Sequence, residues 1–350
     1  MRIDPFSLRL SSPLRTARAE MLDREGFLVS VDPTVDDVAS AGLGEATPLP
    51  GWTESLSACE DALCGIGDAG PDALDAVDAD ATPAARHGLA LALADADARD
   101  AGLSVAERLA EDAELPSPAA SVPVNATIGD GSVDAATRAA ERAVDDGYRC
   151  LKVKVGARGL DADVERLRAV RRAVGPAVEL RADANGSWSR SVARRALDRF
   201  RAVDPAYVEQ PLPADDLDGL RRLRADSRVP VAVDESLAAY TVEEVLNADA
   251  TDVLIVKPMA LGGPDEALAA ARRARAAGVE PIVTTTVDGV VARVGAVHVA
   301  AAIPDVGACG LATGSLLAAD LAPDPCPVEA GEISVPTAPG LAGDAFDGLR

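Results

Sequence analysis

From about residue 121 onward the chain repeats one beat: a short apolar run, an amphipathic stretch, a turn, and then the next apolar run. The runs begin near Val122, Cys150, Val178, Ala206, Val229, Asp252, Glu280 and Ala308, about 23 to 28 residues apart. Between them lie stretches such as 161–174, where Val164, Leu167, Val170 and Val174 recur at steps of three and four, the period of a helix with one buried face. Eight strand-and-helix units in succession imply an α/β fold whose parallel sheet closes on itself as a TIM-like barrel. The eighth run lacks a full helical pattern after it, so the expected form is (β/α)7β. An open doubly wound sheet is the alternative. It needs a glycine-rich nucleotide loop after the first strand, and Asn-Ala-Thr-Ile-Gly-Asp-Gly at 125–131 does not open a convincing one. Strands covered by helices are buried on both faces, and the chain is 48% hydrophobic but only 3% aromatic, which leaves Val, Leu, Ile and Ala to build the core.

Ahead of the barrel the pattern differs. Residues 6–31 hold two apolar-rich runs, the second being Gly26 to Val31, with period-two alternation around turn residues; this reads as an antiparallel meander. Residues 42–55 are too rich in Gly and Pro for a regular element and long enough for a functional loop, in which Trp52 either lines a pocket or anchors the loop to its own domain. Thr82 before Pro83 marks a helix start and Gly102 a stop, so a helix is expected over 83–100. The expected organisation is an α+β capping domain over 1–118, a catalytic barrel over 119–318, and a segment 319–350 that packs back on the cap.

Only three lysines occur among the 350 residues, against 31 arginines: Lys152, Lys154 and Lys257. Lys-x-Lys on a half-exposed strand is ordinarily a pair of solvated charges, but the scarcity of lysine elsewhere points to a chemical need. Arginine stays protonated at any working pH, whereas lysine beside other cations or in a dry pocket can give up its proton. All three fall at the C-terminal ends of barrel strands, where this fold carries its chemistry. Lys152 and Lys154 end strand two, Arg181 and Asp183 strand three, Glu209 strand four, Asp234 and Glu235 strand five, and Lys257 strand six. Side chains alternate along a strand, so Lys152 shares a face with Lys154 and Arg181 with Asp183. With Val153 and Val155 toward the helices, both lysines enter the barrel mouth.

Asp183, Glu209 and Asp234 come from three successive strands and would repel one another without a cation. Each alone could cap the next helix. Three in consecutive units, flanked by the lysines, form an all-oxygen set that suits magnesium, with manganese as a substitute. A bound magnesium stabilises an enediolate when the carbon beside a substrate carboxylate loses its proton. Lys154, with Lys152 on its own face, is the candidate base, and Lys257 arrives from across the barrel.

Lys-x-Lys, Asp-Ala-Asn, Val-Glu-Gln-Pro, Asp-Glu-Ser and Val-Lys-Pro, in this order, resemble the enolase superfamily in its muconate-lactonising branch, over nearly the whole chain. Within the branch, residues 6–17 and 44–55 most resemble the o-succinylbenzoate synthase family of menaquinone biosynthesis. That resemblance implies a hydro-lyase in which Lys154 removes the proton alpha to a ring carboxylate and returns it to the departing hydroxyl. It further implies that Lys257 stabilises the enediolate and that Asp183, Glu209 and Asp234 hold the magnesium. Lys152 and Glu235 stand behind them, and Arg181 and Asn185 orient the substrate. Thr284 and Thr285 either meet the succinyl carboxylate or form a hydroxyl-rich turn. N-acylamino-acid racemases and dipeptide epimerases of the same branch are the alternative. The dipeptide epimerases resemble one another in an Asp-x-Asp on strand eight, which residues 309–314 lack.

A net charge of −23 argues against nucleic acid or an anionic membrane as partner, since both need a cationic footprint. Residues 1–20 show no leader pattern and no stretch approaches the roughly 18 apolar residues of a membrane span, so the expectation is a cytoplasmic chain acting on a small carboxylate. A homo-oligomer is compatible with this. Five cysteines without Cys-x-x-Cys point to free thiols. Excess Asp and Glu, with Arg in place of Lys, is the composition of a halophilic protein, although GC-rich codons produce the same Arg and Ala bias. On the halophilic reading, dialysis into low salt unfolds the protein; a melting temperature indifferent to salt counts against it.

Overall fold

The computed structural model describes residues 1–15, 20–31, 41–66 and 71–350. Thr16 and Ala17, at the end of the amino-terminal motif, lie outside the described residues. The amino-terminal sheet is antiparallel in the order β1 (Arg2–Arg15), β2 (Glu20–Val31), β3 (Gly42–Ala46). Strand β3 corrects the reading of 42–55 as wholly irregular. Its glycines serve close approach rather than a turn. A Cβ on Gly44 would collide with the carbonyl of Gly88 in the helix packed against it. The cap continues with α1 (Leu56–Gly65), α2 (Pro83–Ala101) and α3 (Val105–Asp112). Helix α2 starts and stops as expected, with Gly102 left-handed at φ 69°. Its cap differs. The Thr82 hydroxyl donates to Asp78 O, and the first-turn amides of Ala84 and Ala85 donate instead to Glu54, at 3.1 and 2.8 Å.

The barrel follows. After a short β4 (Ser121–Pro123) come seven parallel strands: β5 (Ala126–Ile128), β6 (Cys150–Lys154), β7 (Glu179–Asp183), β8 (Tyr207–Glu209), β9 (Val231–Val233), β10 (Val253–Val256) and β11 (Glu280–Val283). They lie side by side in sequence order. The intervening helices are α4 (Val133–Asp145), α5 (Leu160–Val174), α6 (Arg190–Phe200), α7 (Leu217–Asp226), α8 (Val242–Asn247), α9 (Pro258–Leu261), α10 (Pro264–Ala276) and α11 (Val290–Ala302). In α5 the predicted Val164, Leu167 and Val170 are buried. No helix among the described residues is long and apolar enough to cross a membrane.

Two runs resolve differently from the expected beat. The first divides in two: Val122 lies in β4, which pairs with β13 (Glu332–Ser334) beside β12 (Val328–Glu329) in a small antiparallel sheet, and the barrel strand proper begins at Ala126. The eighth is two residues long. Cys309 N donates to Pro123 O at 2.8 Å and Asn125 N to Cys309 O at 2.9 Å, while Gly310 N donates to Val283 O at 2.8 Å. That short seam joins the first and last strands and closes the barrel.

Helix α11 is mostly apolar and every one of its residues is buried, Arg293 and His298 included, because barrel strands cover one side and the cap the other. His298 ties three parts of the chain through it. Its Nδ1 accepts from Ala106 N of α3 at 3.2 Å, so the proton sits on Nε2, which donates to Leu341 O at 2.7 Å. Burial, working against the carbonyl contact, pushes this imidazole down to about 4. With an unfolded value near 6.5, its stabilisation is complete above that pH and is lost as pH falls through 4. The difference amounts to about 3 kcal/mol. Urea unfolding at pH 7 and pH 4 should show a fall in stability that is smaller by about this amount in His298→Gln.

Candidate active site

Two rows of side chains stack inside the barrel. In the upper row Lys154, Asp183 and Glu209 are register partners across β6, β7 and β8; in the row below, Lys152, Arg181 and Tyr207 are. Val153 and Val155 pack outward in the core, so the alternation predicted for β6 holds. The strand ends are braced from behind. Gly156 turns the chain at φ 90°, and its N–H donates to Asp163 of α5 at 2.8 Å. Arg166, paired with Asp163 at 3.0 Å, donates to the carbonyl of Lys154. Both members of that pair are buried.

The upper row is held by charge. Lys154 Nζ lies 2.7 Å from Asp183 Oδ2 and donates to Asn185 Oδ1 at 2.8 Å. Asn185, itself left-handed at φ 44°, passes the contact on, its Nδ2 donating to Glu235 Oε1 at 2.8 Å. Lys152 Nζ reaches up to Glu209, at 2.9 and 3.2 Å from the two oxygens, and to Asp183 at 3.2 Å. Lys257 Nζ lies 2.8 and 2.9 Å from the oxygens of Asp234 and 3.3 Å from the ring centroid of Trp52. Strands β6 and β10 are four places apart in an eight-place barrel, so Lys154 and Lys257 face each other.

Protonation follows from these contacts. Burial disfavours the Lys152 ammonium, but Glu209 and Asp183 outweigh it and hold its proton well above the ordinary range. Lys152 is therefore a fixed charge. Burial also opposes ionisation of Asp183, yet Lys154 and Lys152 keep its carboxyl well below the usual carboxylate range. Lys154 is the lysine that reaches the opening: its side chain is 35% exposed, against 15% for Lys152 and 11% for Lys257.

Burial, and after it the charge of Asp183, pushes the Glu209 carboxyl upward, with Asp234 adding to the effect. Glu235 is raised by burial and by Asp234 and Asp183, and its Oε2 is buried without a hydrogen-bond partner. Buried carboxylates crowding one another, all offering oxygen, fit a hard divalent cation such as magnesium. Among the described residues no three of them meet at a common ligating centre. Each of Asp183, Glu209 and Asp234 is drawn onto a lysine.

Other expected residues are placed elsewhere. Arg181 points away from the mouth, toward the N-terminal end of the barrel. Its Nε donates to Glu179 and its Nη1 to Ala308 O, both at 2.6 Å, and its guanidinium stacks 4.9 Å from the Tyr207 ring. Its place in the lower row, with partners at the start of β7 and of the eighth run, sends it down, away from the mouth where a substrate-orienting group was expected. Thr284 is committed to the seam, its hydroxyl donating to Gly310 O at 2.9 Å. Thr285 meets Thr313, oxygen to oxygen, at 3.0 Å. Gln210 escaped the sequence reading although it adjoins Glu209. Wholly buried at φ 36°, it accepts at Oε1 from the amides of Asp234 and Ser236, at 3.0 and 3.1 Å, and so fixes the end of β9. Val287 at φ 62° is a strained β-branched residue beside the mouth, which only a structure reveals.

The family described as enolase C-terminal domain-like matches residues 134–344. The chain belongs to the enolase superfamily. Among its relatives, the o-succinylbenzoate synthase of Thermobifida fusca is 39% identical over 222 residues, 61% of this chain and 68% of that one. The same enzyme from Thermosynechococcus vestitus is 30% identical over 298 residues, 83% and 84% of the two chains. Among solved structures, the dipeptide epimerase of Methylococcus capsulatus, complexed with Mg and L-Arg-D-Lys, superposes with a TM-score of 0.82 over 97% of this chain and 98% of that one, at 28% identity.

Lys152→Met would leave Glu209 without its bidentate partner in a buried site. Stability should fall by about 3 to 5 kcal/mol in urea unfolding, the size expected when one member of a buried ion pair is removed.

Proposed function

We propose that this protein dehydrates 2-succinyl-6-hydroxy-2,4-cyclohexadiene-1-carboxylate to o-succinylbenzoate, with Lys154 as the base and magnesium as the cofactor. The reading is carried by one observation: Lys154 and Lys257 face each other across three buried carboxylates. The two synthase relatives, matched over more than two thirds of their length, support the choice of substrate.

Lys154 takes the proton from the carbon beside the ring carboxylate, and Asn185 Oδ1 keeps its Nζ aimed to one side of the mouth. The electron pair moves into the carboxylate, giving an enediolate whose charge the Lys257 ammonium opposes. The pair then returns toward the ring and expels the hydroxyl, which collects the proton held on Lys154 and leaves as water. One proton and one hydroxide are lost, and the ring becomes aromatic. Asp183, Glu209 and Asp234 would hold magnesium, which when bound supplies Lewis-acid stabilisation of the substrate carboxylate. Lys152 and Glu235 support those carboxylates from behind. Residues 119–318 thus carry the chemistry, and the cap over 1–118 closes the mouth.

A racemase or epimerase is the second reading, favoured by the opposed lysines and by the fold shared with the dipeptide epimerase. Two facing amines serve proton exchange on either side of a carbon as naturally as one-sided elimination.

With magnesium, the purified protein should convert the cyclohexadiene to product, followed by o-succinylbenzoate absorbance. Chelation should abolish turnover and added magnesium restore it. Lys154→Arg should lose at least about a thousandfold in kcat with the fold intact, in line with removal of a general base. Absent turnover alongside rapid racemisation of an N-succinylamino acid would establish the second reading instead.

A further inference from the structure

The cap sends one side chain onto a lysine of the barrel. The Trp52 ring is centred 3.3 Å from Lys257 Nζ, well inside the reach of a cation–π contact. The ammonium is buried and has the Asp234 carboxylate as its other close neighbour.

The loop that carries Trp52 is fastened at every turn. The amides of Trp52 and Thr53 both donate to Leu49 O at 2.9 Å, and Leu49 N donates back to the Thr53 hydroxyl at 2.8 Å. Glu54, next along, caps α2. On the other side, the buried Arg24 donates to Thr47 O and Pro48 O at 2.9 and 3.0 Å, and to Val287 O beyond β11 at 3.2 Å. Thr47 N meets the sulfur of Met259 at 3.4 Å, two residues past Lys257 itself. The indole is thereby held in register with the strand end whose lysine it covers.

We infer that Trp52 is a positioning residue for Lys257: its ring, delivered by the cap, fixes where the ammonium stands in the barrel mouth. This rests on the reading of Lys257 as the group that opposes the enediolate charge. A lysine has four rotatable bonds, and misplacement of a charged group by about 1 Å can cost about a hundredfold in rate, so a second contact on Nζ has kinetic consequences. The cap thereby takes a part in the reaction beyond enclosure.

With three lysines in the chain, lysine-selective 13C labelling yields three Cε–Hε resonances, assigned through single Lys→Arg variants. The Lys257 resonance should lie upfield from the indole ring current. In Trp52→Leu it should move back to the ordinary position while those of Lys152 and Lys154 stay in place. An unmoved Lys257 resonance overturns the inference without reference to any activity. Kinetically, Trp52→Leu should lower kcat about tenfold with KM within about twofold, and Trp52→Phe, which keeps an aromatic face, should recover most of the loss. A risen KM at constant kcat, or equal losses in the Leu and Phe variants, would make Trp52 a substrate wall and overturn the inference. Should the wild type racemise N-succinylamino acids instead of dehydrating the cyclohexadiene, the functional reading fails and the same kcat and KM comparison is made on racemisation.

Discussion

The barrel mouth depends on a charge balance that closes in a nearly dry place. Asp183, Glu209 and Asp234 are almost completely buried, and each has an ammonium within 3 Å. Removing either sign alone strands the other in a medium that solvates it poorly, which is far costlier than losing an exposed pair. The geometry of three strand ends is thus fixed by electrostatics as much as by packing. Lysine suits the task where arginine does not: a compact ammonium fits between carboxylates of adjacent strands, whereas a planar guanidinium in the row below turns toward the opposite end of the barrel.

Much of this was legible in the sequence because strands impose a period of two and a fixed direction. Once Lys154, Asp183 and Glu209 are placed at strand ends their shared level follows, with Lys152 one row below. What the sequence hid are the supports. Asp163 and Arg166 sit in a helix whose charges read as a solvated face, yet both are buried beneath the end of β6. Gln210 reads as part of a motif whose Glu209 draws the attention, while its amide fixes the next strand. Arg181 illustrates a limit of another kind. Alternation gives the face of the sheet but not the direction in which a long side chain lies along it, and its partners at Glu179 and Ala308 are distant in sequence or on the same strand.

Cap and barrel are joined by directional polar contacts as well as by apolar surface. Glu45 of β3 accepts from Gly289 N and Ala292 N at 2.7 and 2.9 Å, capping α11. Arg86 of α2 pairs with Asp265 at 2.8 Å and donates to Gly262 O at 2.7 Å. Directional contacts of this sort set register, as hydrophobic contacts cannot. The loop over the mouth inherits that register.

The two-residue eighth strand has a consequence for how the molecule comes apart. Strands elsewhere in the barrel share a ladder with each neighbour, but among the described residues the first and last meet through the short seam of Cys309 and Gly310, which bridge Val124 just before β5 and Thr284 just after β11. Loss of those few bonds would uncover two parallel strand edges at once, each a row of unpaired amides and carbonyls open to another chain. Gly310 leaves no room there for a larger residue, since a Cβ would strike the Thr284 hydroxyl. The narrowest joint in the barrel is thus also its guard against self-association through the sheet.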